Sequence, residues 1–178
     1  MIVESLSVTE PLGRLAQMSD DPAHVRGAMA RFPSGIAALC ASIEGRPVGM
    51  VASSFSVGAS YRPPMVMFSV QNSSTTWPVL ETSQRIGVSI LGDSQSAACM
   101  QLASRSGDRF AGLSTFETEH GSVLIHGAAM WLDGEVANTM PVGDHRIVVL
   151  HVHAMSIDDT RAPLIYHERR FHSLRTIV

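Results

Sequence analysis

The sequence contains no lysine; all 13 of its basic residues are arginines. That absence removes Schiff-base catalysis, the lysine of a P-loop and the serine–lysine dyad. Any phosphate held by a cationic side chain must be held by arginine, whose planar guanidinium suits the task. Cysteine is scarce as well. Cys40 and Cys99 lie far apart in apolar or small-residue surroundings and lack C-x-x-C spacing. They read as buried free thiols, not as a disulfide. No apolar run approaches the roughly 20 residues of a membrane-spanning helix. Residues 1–17 carry Glu4 and Glu10 and no basic leader, so they read as a tail or docking arm and not as a signal peptide. Charge of one sign is not in excess. A net charge of −3 offers no basic surface for nucleic acid or an anionic membrane. A cytoplasmic protein is the expectation.

Two further motifs are missing. There is no G-x-G-x-x-G after a strand, so a Rossmann nucleotide fold is not supported. There is no G-x-S-x-G elbow, so hydrolase chemistry of that kind is not supported. What remains is 178 residues with 45% hydrophobic and 16% charged content, enough to bury one core. The chain divides into a tail over residues 1–20 and one domain over residues 21–178.

Asp21-Pro22 supplies an N-cap followed by proline at the first helical position, and Val25, Met29 and Phe32 recur at helical spacing. A helix is expected over 22–31. Strands are expected over 36–43 and 48–55, joined at Glu44-Gly45-Arg46 as a hairpin. A nearly all-apolar strand over 65–70 should be buried on both faces. A short helix over 76–82, a strand over 85–91 and a helix over 94–103 follow. Residues 104–116 read as a long functional loop. Strands over 122–125, 129–137, 146–155, 163–166 and 170–174 complete the chain. Strands joined mostly by short turns, with few helices, make a mainly β, α+β pattern. An antiparallel barrel with peripheral helices fits best.

One stretch carries most of the chemistry. Gly49-Met50-Val51-Ala52-Ser53-Ser54-Phe55 places small residues where a flat ligand can lie against backbone. Asn72-Ser73-Ser74-Thr75-Thr76-Trp77-Pro78 places hydroxyls at a helix start, which suits a phosphate. A flat ring with a phosphate tail describes a flavin nucleotide, although the pattern by itself leaves other ligands open. Ser73, Ser74 and Thr76 alone would be explained as helix caps. Ser53 and Ser54 inside an apolar strand call for partners, and a ligand edge would supply them. Gly107-Asp108-Arg109-Phe110-Ala111-Gly112 sets an arginine and an aromatic between glycines, as a mobile loop or a phosphate clamp. His151-Val152-His153, with His145 nearby, has the alternation of a metal pair on a strand, but the glutamate a cupin places about four residues later is missing. A polar outer strand face is the expectation. Gly143-Asp144-His145 stands at a turn, where a histidine beside a carboxylate can orient a nicotinamide or relay a proton, or can simply be solvated.

Taken in order, eight short segments resemble the short-chain flavin reductases of two-component monooxygenases, which have the FMN-binding split-barrel fold. They are Arg31-Phe32-Pro33-Ser34-Gly35, Gly45-Arg46-Pro47-Val48-Gly49-Met50, Ala52-Ser53-Ser54-Phe55, Pro63-Pro64-Met65-Val66, Ser73-Ser74-Thr75-Thr76-Trp77, Arg109-Phe110-Ala111-Gly112, Gly143-Asp144-His145 and Pro163-Leu164-Ile165-Tyr166-His167. The resemblance covers about residues 22–174. It implies NAD(P)H-dependent reduction of FMN or FAD, with NADH or NADPH as co-substrate, and delivery of reduced flavin to a separate monooxygenase. It also implies a homodimer. By this resemblance Met50, Val51, Ala52, Ser53 and Ser54 line the flavin ring, and Ser69 to Gln71 run beside the ribityl chain. Ser74 and Thr76 take the phosphate, while Arg109, Phe110 and Gly112 close over the tail. His145 meets the nicotinamide, and Tyr166 belongs to the substrate side. The sequence departs from the family pattern at Val51, where many members have threonine, and at Arg62, Arg169 and Phe171. A non-enzymatic flavin-binding protein, or a flavin oxidase of the same barrel type, are the alternatives.

Overall fold

A computed structural model describes residues 17–177. Residues 1–16 of the expected tail lie outside the described residues. Helix α1 (Pro22–Met29) begins as expected: the Asp21 carboxylate accepts a hydrogen bond from the Ala23 amide at 2.9 Å, and proline holds the first position. It stops short of residue 31 because Arg31 and Phe32 donate to carbonyls three residues back, tightening the chain into a turn. None of its residues is buried.

The strands then follow: β1 (Ser34–Gly35), β2 (Ala37–Ile43), β3 (Arg46–Ala52), β4 (Ser56–Tyr61) and β5 (Pro64–Gln71). After the short helix α2 (Trp77–Leu80) come β6 (Ile86–Ile90), helix α3 (Ser96–Leu102), β7 (Thr115–Glu117) and β8 (Val123–Ile125). The long pair β9 (Met130–Val142) and β10 (His145–Ile157), then β11 (Leu164–His167) and β12 (Arg170–Ser173), end the chain. Seven strands form one antiparallel sheet in the order β3-β2-β6-β9-β10-β5-β4. Smaller sheets pair β1-β11-β12 and β7-β8. The mainly β, antiparallel barrel expected from the sequence is the fold observed.

The β2–β3 hairpin turns through Glu44 and Gly45, at φ of 51° and 74°. Two left-handed residues give the turn whose twist matches that of the flanking strands. The barrel interior is filled by Leu39, Phe68, Ile86, Val88, Leu132, Val148 and Leu150, and α2 inserts Trp77 and Leu80 into it. The Trp77 ring meets Phe68 edge-on at 5.3 Å. A second core lies outside the sheet, where Ala38, Cys40, Cys99, Leu102, Ile125 and Leu164 meet under α3, β8 and β11. Gly87 makes this second layer possible. A Cβ on it would stand 2.3 Å from the Val123 carbonyl oxygen.

Three expectations are corrected. The strand placed over 48–55 ends at Ala52, and Ser53 and Ser54 are exposed beyond it instead of buried within it. The Ser54 hydroxyl accepts from the Ser69 amide at 2.9 Å and donates to the Ser69 carbonyl at 3.0 Å. It therefore ties the end of β3 to β5 across the open seam of the barrel. Strand β5 is buried on one face only. Val66, Phe68 and Val70 point inward, while Met67 on the other face is 37% exposed. Apolar composition on both faces signals an apolar surface here, not a two-sided core. Strand β4 and the short β7 went unrecognised. Ser56-Val57-Gly58-Ala59-Ser60-Tyr61 is poor in β-branched residues and is fastened only at an edge, with an irregular register.

Candidate active site

The seam between β3 and β5 opens into a cavity of about 590 Å3. Its size suits a nucleotide-sized ligand. One wall is the end of β3 and the chain after it, with Met50, Val51, Ala52, Ser53 and Ser54. The opposite wall is the end of β5, with Ser69, Val70 and Gln71. Its floor at one end is the turn Ser73-Ser74-Thr75-Thr76, to which Arg109 is bonded, and Arg105 also lines the cavity. His145 lines the cavity from the first position of β10. Leu102 and Ala103, at the end of α3, complete the lining. Among the described residues no carboxylate lines it.

The polar end is held ready by the chain's own bonds. The Ser74 hydroxyl accepts from the Trp77 amide at 3.1 Å and so caps α2. The Thr76 hydroxyl accepts from Arg109 Nη1 at 2.8 Å. Both hydroxyls serve as acceptors in these bonds, so each keeps its O–H to donate to an anion. Arg109 also donates from Nη1 to the Gly49 carbonyl at 2.8 Å and from Nε to the Ser104 carbonyl at 2.6 Å. These three bonds join α2, β3 and the loop after α3. Among the described residues they leave Nη2 as the part of the guanidinium without a protein partner.

His145 is positioned by backbone. Asn72 donates from its amide to the Asp144 carbonyl at 2.9 Å, and from its side chain to the Gly143 carbonyl at 3.3 Å. Gly143, at φ 57°, turns the β9–β10 hairpin. His145 pairs with Gln71 across the β10–β5 ladder. The Asp144 carboxylate stands 2.7 Å from His145 Nδ1. A carboxylate accepts only, so Nδ1 carries the proton and Nε2 faces away from the pair. His145 holds the Asp144 carboxyl below its ordinary range, first through this hydrogen bond and then through charge.

Not every expected residue reaches the cavity. Phe110 lies behind β3: a Cβ on Gly49 would come within 2.8 Å of its ring, and it belongs to the second core. Gly112, at φ 72°, turns the loop and does not line the cavity. Tyr166 packs on Phe171, with ring centroids 5.7 Å apart, and is also outside it. Val70 and Thr75 line the cavity within the two stretches expected there, while Arg105, Leu102 and Ala103 line it without a sequence expectation. Arg105 alone had a readable signal, as a second arginine in the polar loop of a lysine-free chain.

His151 and His153 stand on β10, beside Glu135 of β9. A register shift falls between Val152 and Ala154. His153 Nε2 lies 2.9 Å from Glu135 Oε2, and the two imidazoles stand 4.4 Å apart. Among the described residues no three His, Cys, Asp or Glu side chains are grouped to hold a metal ion. Burial pushes the Cys40 thiol up to about 12 and that of Cys99 to about 11, so both stay protonated at neutral pH.

An antiparallel barrel with a hydroxyl- and arginine-lined cavity at its seam is built to bind a phosphorylated cofactor. The chain belongs to the flavin reductase like domain family, which it matches over residues 29–175. It is 30% identical to a flavin reductase from Pseudomonas putida over 161 residues, covering 90% of this chain and 94% of that protein. The solved styrene monooxygenase flavin reductase of Pseudomonas putida S12 is 32% identical, with a TM-score of 0.77, over 86% of this chain and 98% of that one. An NADH:FAD oxidoreductase from Streptomyces globisporus, solved with NAD and FAD fragments, is 26% identical with a TM-score of 0.83, over 90% of this chain and 98% of that one. The family expected from the eight motifs is the family found.

Proposed function

We propose that the protein transfers hydride from NAD(P)H to FMN or FAD and passes the reduced flavin to a separate monooxygenase. The observation that carries this reading is the cavity itself. Its small-residue wall at positions 51–54 suits a flat ring, and its other end offers hydroxyl and guanidinium donors. The flavin, when bound, supplies the hydride-accepting centre. The chain's own residues bind and orient. Val51 and Ala52 leave room for a ring beside β3. The hydroxyls of Ser74 and Thr76 and the Nη2 of Arg109 donate to the phosphate. His145 Nε2 accepts from the carboxamide N–H of the nicotinamide, and Asp144 fixes the ring that presents it. Positioning of this kind converts a bimolecular encounter into an aligned one, and no protein acid is required.

The reading includes a homodimer. Met67, Met140 and Val142 expose apolar area on the strands next to the cavity, at 37%, 43% and 51%. A second copy seated on this face would cover it and close the seam. Phe110, Gly112 and Tyr166 would act as supports behind the site. Two buried free thiols and the use of NAD(P)H favour the cytoplasm. Among the described residues no helix is long and apolar enough to cross a membrane.

The test is steady-state oxidation of NADH and NADPH, followed by absorbance, with and without added FMN or FAD. Flavin-dependent turnover is expected. Tight flavin binding without turnover would identify a flavin-binding protein instead, and turnover with neither nicotinamide would remove the reductase reading.

A further inference from the structure

We propose that Arg105 is the specificity-determining residue for the outer phosphate of a dinucleotide flavin, so that the cavity prefers FAD to FMN. This rests on the flavin-reductase reading above. Among the described residues two arginines line the cavity, Arg105 and Arg109, and they are not equivalent. Arg109 is partly buried and commits Nε and Nη1 to Ser104, Gly49 and Thr76. It is a strut at the inner end of the site with one nitrogen to spare. Arg105 is exposed, and among the described residues its guanidinium makes no hydrogen bond or ion pair.

The backbone under Arg105 is nevertheless held. The Ser104 hydroxyl donates to the Ser106 carbonyl at 2.7 Å and accepts from the Ser106 amide at 3.2 Å, closing a tight bend around residue 105. The neighbouring Asp108 makes no ion pair with the guanidinium among the described residues, and its Oδ1 accepts from the Phe110 amide at 2.8 Å. The result is a fixed anchor with an uncommitted planar fork at the cavity rim. The single phosphate of FMN is accounted for by the turn at residues 73–76 and by Arg109. FAD carries a second phosphate beyond the first, on the side leading away from the ring. Arg105 is the remaining cation of the lining, and a guanidinium takes two phosphate oxygens at once.

The experiment is a fluorescence titration of the full-length protein with riboflavin, FMN and FAD. It compares the wild type, Arg105→Ala and Arg105→Lys at low and high salt. The wild type should bind FAD more tightly than FMN. Arg105→Ala should weaken FAD roughly tenfold, the worth of about one charge-assisted hydrogen bond, and leave FMN and riboflavin within about twofold. Arg105→Lys should keep part of the preference, since it keeps charge but loses the fork, and salt should shrink the preference in the wild type. Equal loss for FMN and FAD would place Arg105 on the first phosphate and overturn the proposal. Loss for riboflavin as well would make its role structural, and no change for any ligand would leave it a solvated charge; both overturn it. A wild type that binds none of the three flavins would instead sink the reading beneath it.

Discussion

Arg109→Ala separates a strut from a ligand contact. The wild-type side chain joins three segments: the Ser104 carbonyl after α3, the Gly49 carbonyl in β3 and the Thr76 hydroxyl before α2. A hydrogen bond to a charged group contributes about 1.5–3 kcal/mol. The three share one partly exposed side chain and are not additive. Their joint removal should therefore cost about 2–4 kcal/mol of stability in the flavin-free protein. For a domain of this size that is a fall in Tm of roughly 5–15 °C. Flavin affinity should fall too, because Thr76 and the wall at Gly49 lose their common anchor and Nη2 is gone. FMN should lose more than riboflavin, since only FMN carries the phosphate. Urea denaturation without ligand measures the first effect, and fluorescence titration with both flavins measures the second. Unchanged stability with lost FMN affinity would refute the strut. Equal loss for riboflavin and FMN would refute the phosphate contact.

The remaining expectations concern the other parts of the site. His145→Ala should raise the KM for NAD(P)H or slow flavin reduction while leaving flavin affinity near the wild-type value, and stopped-flow reduction alongside flavin titration checks this. Asp144→Asn should act in the same direction more weakly, because an amide can donate to Nδ1 as well as accept from it and so no longer confines the proton to that nitrogen. Asp144 is held below its ordinary carboxylate range, so its pairing with His145 is present above that range and is lost as pH falls through the lowered value. The acid limb of a pH series of thermal unfolding should accordingly differ between the wild type and Asp144→Asn, because only the wild type loses this pairing as pH falls. With thiols raised to about 12 and about 11, Cys40 and Cys99 should resist a thiol reagent in the native state and both react in denaturant. Gly49→Ala places a Cβ 2.6 Å from Cys40 Sγ and 2.8 Å from the Phe110 ring. Such overpacking should cost about 1–3 kcal/mol and loosen the loop carrying Arg109, as thermal unfolding would show.

Much of this protein was legible in its residues. Asp21-Pro22 announces α1, and Glu44-Gly45 announces the β2–β3 hairpin, because caps and tight turns are local and depend on a few side chains. The small residues after Gly49 mark one wall of a cavity and Ser74 and Thr76 its floor, and His145 lines it from its turn. The misreadings share one cause. Ser53 and Ser54 look buried by composition, yet the strand stops at Ala52. Met65 and Met67 look like core, yet β5 faces the interior on one side only. Whether a strand is covered on one face or two is decided by what the rest of the chain places there, and that is not written in the strand.

What the sequence alone determined is the chemistry on offer: arginine as the sole cationic phosphate ligand, thiols without partners, a mainly antiparallel β pattern, and the motifs of the family. Those follow from composition and short-range order. Only the tertiary structure decided how that chemistry is shared out. Ser54 is spent on closing the barrel seam, and Phe110 supports β3 from behind. Arg109 is largely consumed as a strut, which leaves Arg105 uncommitted at the rim. Each of these assignments depends on partners far away in the chain, Ser54 with Ser69 and Arg109 with Gly49 and Thr76, and pairings over such separations are set by packing and register, which no local pattern encodes.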